Sequence, residues 1–206
     1  MKFVRGFYAI LDRDDEGLAR ALAAHADVLQ VRIKPGDAVD VLRIARMARA
    51  VCDELGVLLF VNDRVDLALA AGADGVHLGQ TDLPVEEARR IAPRLKIGLS
   101  THSLEQMQRA VALAPDYAAY GPVFATHTKE NPDPVQGTEA LAHAVTAAGR
   151  IPVVAIGGIT PRDAESVFAT GAAAICAISS VNTAGDVGAA ARCLSRRGVA
   201  GFATGE

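Results

Sequence analysis

Gln30, Arg32 and Lys34 recur at every second residue of the stretch DVLQVRIKP, so an extended strand would turn all three to one side. Two cations on an inner face are expensive to bury without an anion. A phosphate or diphosphate supplies one, with Arg offering a planar fork and Lys a point charge. Ion pairs with structural carboxylates, or a place in the loop after the strand, are the alternatives. Asn62-Asp63 closes the next apolar run, and Asp82 follows the one after that. Two carboxylates beside a phosphate would cradle Mg2+, a hard cation that takes oxygen ligands. Each also suits a helix cap, Asp63 for a helix from near Val65 and Asp82 for one from Pro84. Ser100-Thr101-His102 ends KIGLS, while Thr126, Thr128 and Lys129 fall in the polar stretch 126–137. Gly157-Gly158 follows PVVAI and Ile178-Ser179 follows AAICA, where backbone N–H groups at helix starts would cradle a phosphate. His77, inside the apolar GVHLG, reads as a satisfied core histidine rather than a catalyst. His102 and His127 stand nearer the same polar positions, but no Ser or Cys completes a nucleophilic triad with them and no HExxH pattern occurs.

These positions share a place in a repeating pattern. Short apolar runs at 3–11, 27–33, 57–62, 75–79, 96–100, 117–124, 152–158 and 173–179 alternate with stretches of helical periodicity. Within VDVLRIARMARAVCDEL, for example, Val41, Leu42, Ala45, Ala48, Val51 and Leu55 fall on one helical face. The strand-like runs alternate little, as expected where both faces of a parallel sheet are buried. Eight such units predict an α/β fold, a (β/α)8 TIM barrel, as one catalytic domain over residues 1–206; an open doubly wound sheet is the alternative. In a barrel, chemistry belongs at the C-terminal ends of the strands. The candidate residues fall there unit after unit. The longest loop, 126–137, has the length and polarity of a binding loop or lid.

Composition narrows the partners. Half the residues are hydrophobic, 4% are aromatic, and the formal charge is −3. Nothing in that balance draws the chain to nucleic acid, and no apolar run reaches membrane-spanning length. The expected partners are small molecules or further copies of the chain. Cys52, Cys176 and Cys193 form no CxxC pair, which argues against a disulfide framework or zinc site and fits a reducing cytoplasm. The start of the chain has no basic segment followed by a long apolar run, so no signal peptide is expected.

The chain closely resembles the thiamine-phosphate synthase family. The block VNDRVDLALAAGADGVHLGQTDLP is very similar to the family's most characteristic one, and KIGLSTHS, DYAAYGPVFATHTK and PVVAIGGI match three others in order. The resemblance implies a magnesium-dependent transferase that joins an aminopyrimidine diphosphate to a thiazole phosphate, or its carboxylated form, giving thiamine phosphate and diphosphate. By position, Gln30, Arg32, Lys34, Asn62 and Lys129 correspond to contacts with the pyrimidine diphosphate, and Ser100 to the pyrimidine-side serine. Asp63 and Asp82 correspond to the metal ligands, and Thr126, Thr128, Gly158, Ile178 and Ser179 to residues that hold the thiazole phosphate. Arg32, Lys34, Lys129 and Ser100 would carry the catalysis. There is one clear departure. The family has Gln-x-Arg-Glu-Lys where this chain has Gln30-Val31-Arg32-Ile33-Lys34, so an apolar residue replaces a carboxylate. Other readings are a thiazole tautomerase of the same barrel family, which a histidine in place of Pro122 would have favoured, a non-catalytic binder of thiamine intermediates, and an unrelated phosphosugar epimerase.

Overall fold

The computed structural model describes residues 4–126 and 133–195. Eight strands form a closed, wholly parallel barrel in sequence order: β1 (Gly6–Leu11), β2 (Val28–Val31), β3 (Leu58–Asn62), β4 (Gly75–Leu78), β5 (Lys96–Thr101), β6 (Tyr117–Tyr120), β7 (Val153–Ile156) and β8 (Ala174–Ala177). Helices α1 (Glu16–Ala23), α2 (Ala38–Leu55), α3 (Val65–Ala70), α4 (Val85–Ile91), α5 (Leu104–Leu113), α6 (Gly137–Ala148) and α7 (Ala164–Ala169) link successive strands, and α8 (Ser179–Asn182) and α9 (Val187–Leu194) follow the last. The (β/α)8 expectation holds. No helix among the described residues is long and apolar enough to cross a membrane.

Local chemistry sets the helix ends. Asp15, Asp37, Ser103 and Asp186 each cap a helix by accepting a backbone N–H three residues on. Gly56 ends α2 at φ +71°, a left-handed conformation that costs a glycine little. Val41, Ile44, Ala45, Ala48, Val51 and Cys52 form the buried face of α2, whereas Leu42 is only partly buried and Leu55, at the helix end, is exposed against the expectation.

Most strands are shorter than the sequence predicts, and two of the differences bear on the site. β2 stops at Val31, so Arg32, Ile33 and Lys34 lie past it, although the Arg32 N–H still donates to the Leu11 carbonyl at 2.9 Å. β6 stops at Tyr120 because Pro122 offers no N–H, and the next residues turn to β7 instead. There the Val123 and Phe124 N–H groups donate to the carbonyls of Ile156 and Gly157, both at 2.9 Å.

Strand alternation divides the core. Phe7, Ala9, Leu11, Leu29, Val31, Leu59 and Val61 face the helices, whereas Tyr8, Ile10, Val28, Leu58, Phe60, Tyr117, Val154 and Cys176 fill the barrel. The rings of Tyr8, Phe60 and Tyr117 meet at centroid separations of 5.5 to 6.2 Å. Two glycines make room for them: a methyl on Gly75 would overlap Phe60, and one on Gly98 would overlap Tyr117. Gly98→Ala is therefore expected to destabilise the protein by about 1–3 kcal/mol through overpacking, read as a lower urea midpoint. An unchanged midpoint would mean that the Tyr117 ring is free to move aside.

Candidate active site

The C-terminal ends of the strands open into a cavity of about 1010 Å³. Gln30, Arg32, Lys34, Asn62, Asp63, Asp82, Ser100, Thr126, Gly158, Ile178 and Ser179 all line it, so one rim gathers every predicted site residue that the structure describes. Thr128, Lys129 and His127 lie outside the described residues. In a closed eight-stranded order, β7 and β8 stand across the barrel from β3 and β4. The cavity thus has one end lined by the loops after β2–β4 and another lined by those after β7 and β8.

At the first end the Lys34 Nζ lies 2.7 Å from Asp63 Oδ2. Asp63 sits at φ +61°, a left-handed conformation, and its N–H donates to the His77 carbonyl at 2.8 Å. The turn thereby points the carboxylate into the cavity rather than along α3. Neither acid caps a helix. The N-cap positions are Arg64 and Pro84, and neither makes a side-chain cap bond. Asp82 instead accepts the Gly79 N–H at 2.7 Å. Burial pushes the Asp82 carboxyl above its ordinary range, and Asp63 beside it pushes the same way, against the Gly79 N–H and Lys34. Two acids sharing a partly dry space with one ammonium bring together oxygen atoms of the kind a hard cation would take.

Arg32 is half-buried and close enough for its charge to act on His77 and Cys176. Among the described residues no carboxylate forms an ion pair with it. A partly desolvated guanidinium without an acidic partner is complementary to an anionic ligand. Ile33 turns the other way and packs with the barrel–helix layer. Its place explains why the chain tolerates an apolar residue between two cations.

At the second end, Gly157 and Gly158 adopt φ +101° and +66°. A methyl on Gly157 would lie 2.5 Å from Pro122 Cα, and one on Gly158 would overlap the Ala125 carbonyl. Only glycines let the loops after β6 and β7 close together here. Ser179 opens α8, whose first N–H groups have no partner within the helix. Ser180 donates to the Ile159 carbonyl at 2.8 Å, tying α8 to the glycine loop.

The sequence reading missed the floor between these ends. His77 is a satisfied histidine, as the sequence suggests, but its partners form a row: its Nδ1 lies 2.7 Å from Tyr117 Oη and its Nε2 lies 2.8 Å from Ser100 Oγ. Tyr117 Oη is 2.6 Å from Tyr8 Oη, which accepts from Gln30 Nε2 at 2.8 Å. The signal available was alternation, which puts Tyr8 and Tyr117 on inward-facing strand positions. Burial raises both phenols, and it pushes the Cys176 thiol at the cavity wall up to about 12, so that thiol is no nucleophile.

Burial also pushes His77 down to about 4. Above the unfolded value of about 6.5 neither state carries a proton there, and His77 adds no pH dependence. Below it the unfolded chain binds a proton that the native state refuses, so stability falls as pH drops towards 4. From pH 7 to 4.5 this group alone is expected to cost about 2–3 kcal/mol. Denaturation of wild type and His77→Gln at both pH values isolates it. Equal losses in the two proteins would contradict the assignment.

Comparison with known proteins gives one answer. Residues 7–181 match the family model for thiamine monophosphate synthase. A thiamine-phosphate synthase of Methanoculleus marisnigri is 47% identical over 195 residues, which are 94% of this chain and 92% of that protein. One from Pyrococcus furiosus is 44% identical over 184 residues, covering 87% and 88% of the two chains. A solved thiamine phosphate pyrophosphorylase from Pyrococcus furiosus superposes with a TM-score of 0.86 at 38% identity, covering 94% of this chain and 95% of that one. A 3-hexulose-6-phosphate synthase, at 19% identity and a TM-score of 0.67, shares the fold alone. On this sequence match, and with its rim residues gathered as the resemblance implies, the chain belongs to the thiamine monophosphate synthase family.

Proposed function

We propose that this protein is a thiamine-phosphate synthase, in which the rim after β2–β4 holds the pyrimidine diphosphate and the rim after β7 and β8 holds the thiazole phosphate. The observation that carries the reading is the single cavity with a cationic and carboxylate-bearing end across from a glycine-lined one. In the reaction the thiazole nitrogen forms a bond to the pyrimidine methylene carbon. The carbon–oxygen bond to diphosphate breaks, and its electron pair leaves on the diphosphate. No protein nucleophile is required, which suits a cavity whose one cysteine is held as a thiol.

Arg32 and Lys34 meet the charge that grows on the leaving group, and Lys129 joins them by family resemblance. Gln30 and Asn62 orient the diphosphate-bearing substrate, while Ser100 faces its pyrimidine ring. The backbone amides of Gly158 and Ser179, with Ile178, Thr126 and Thr128, hold the thiazole phosphate. Asp63 and Asp82 would hold Mg2+, for which the crowded carboxylate pair is the fitting donor set. Held there, the cation would add positive charge beside the leaving group. Fixing both substrates in one cavity converts their encounter into an oriented, effectively intramolecular step. The three cysteines are free thiols, which suits work in a reducing cytoplasm.

The test is incubation with both substrates and magnesium, with thiamine phosphate followed by chromatography. Thiamine phosphate is expected only when both substrates are present, and chelation is expected to stop its formation reversibly. Failure to form it under these conditions would overturn the reading.

A further inference from the structure

The chain of polar atoms under the cavity has a direction. Tyr8 Oη, buried in the barrel interior, has two hydrogen-bond partners among the described residues, Gln30 Nε2 at 2.8 Å and Tyr117 Oη at 2.6 Å. Gln30 can only donate through that nitrogen, so the proton of Tyr8 must go to Tyr117. Tyr117 then spends its own proton on His77 Nδ1, 2.7 Å away. A neutral imidazole that accepts at Nδ1 carries its proton at Nε2, and that proton points to Ser100 Oγ at 2.8 Å. Ser100 is left with a hydroxyl proton that no member of the chain accepts, beside the cavity. The opposite polarity would give Tyr8 two incoming donors and leave its own proton without an acceptor among the described residues. Phe60 packs against both tyrosine rings, and His77 stacks on Tyr117 at 5.6 Å and 20°, so the members are held in place.

We infer that Tyr8, Tyr117 and His77 are positioning residues that fix His77 as its Nε2–H tautomer and so make Ser100 a hydrogen-bond donor to the bound pyrimidine. The inference rests on the reading of Ser100 as the pyrimidine-side contact. It assigns a preference: Ser100 keeps a proton that no member of the chain takes, so a ligand acceptor facing it completes the row. A ring nitrogen of an aminopyrimidine satisfies that preference. An oxopyrimidine that presents an N–H there meets only the remaining Ser100 lone pair and turns the hydroxyl proton away from the ligand.

The tautomer is read directly by long-range proton–nitrogen correlation on the 15N-labelled full chain without ligand, with His77 assigned by comparison with His77→Gln. The wild type is expected to show the Nε2–H form. In Tyr8→Phe the phenol that sets the direction is gone, and the resonance is expected to move towards a mixture. The same variant is expected to raise KM for the pyrimidine diphosphate about five- to tenfold, with KM for the thiazole phosphate unchanged. An Nδ1–H wild type overturns the proposal even if the enzyme is active. An Nε2–H wild type whose Tyr8→Phe variant affects both substrates alike reduces the tyrosines to packing and overturns their positioning role. Because the tautomer needs no substrate, it remains decisive if the synthase reading itself fails in the product assay.

Discussion

Asp63→Gly is expected to lose turnover on the order of a thousandfold while the protein keeps its fold, because on the proposed reading the carboxylate would serve a cation and not the chain. Asp63 sits at φ +61°, where a side chain adds strain that glycine does not have. Its ion pair with Lys34 is partly exposed, with 54% of the lysine side chain open to solvent, and is worth at most about 1 kcal/mol. The gain and the loss nearly offset. The urea midpoint should therefore move by less than about 1 kcal/mol in stability, and magnesium should no longer raise it in the presence of diphosphate. Asp82→Ala should lose activity to a similar extent. Near-native turnover in Asp63→Gly would remove the carboxylate pair from the mechanism. Lost turnover with an equally lost fold would make Asp63 a structural residue.

Arg32→Ala carries the second large effect. The guanidinium is half-buried and has no acidic partner among the described residues, so it contributes little to the empty protein and much to an anionic complex. Truncating a charge-assisted contact of this kind costs about 2–5 kcal/mol of binding or transition-state energy, roughly thirtyfold to a few thousandfold. The loss is expected in kcat/KM for the pyrimidine diphosphate. Thermal stability of the ligand-free protein should hold or rise, since an unpaired cation leaves a partly dry site. Arg32→Lys should recover only part of the activity, because an ammonium lacks the planar fork. A variant that loses stability and keeps its kinetics would show that Arg32 supports the barrel.

The eight-unit alternation and the positions of polar residues after each apolar run were enough to read the barrel and one rim of its site. Strand ends were less legible. β6 stops at Tyr120 because Pro122 offers no N–H, and how the next residues then bond Ile156 and Gly157 at the end of β7 is set by a distant part of the chain. The capping alternative for Asp63 and Asp82 was equally consistent with local spacing. It fails because Asp63 takes a left-handed turn and Asp82 spends an oxygen on the Gly79 N–H, and neither fact has a local signature. The row from Gln30 through Tyr8, Tyr117 and His77 to Ser100 was invisible for a different reason. Its five members come from five strands; Gln30 and Ser100 stand out as polar residues near strand ends, but Tyr8, Tyr117 and His77 between them look like ordinary buried strand residues. Only closure of the barrel brings them into line.

The central claim is that one cavity takes both substrates, with the diphosphate at the rim after β2–β4 and the thiazole phosphate at the rim after β7 and β8. Crystals grown with thiamine phosphate, diphosphate and Mn2+ in place of magnesium test it most directly, through the anomalous signal of manganese. The account predicts a manganese peak between the Asp63 and Asp82 carboxylates in contact with diphosphate, and the phosphate of thiamine phosphate on the amides of Gly158 and Ser179. Manganese away from both carboxylates, or the two phosphate groups at exchanged ends, would contradict it.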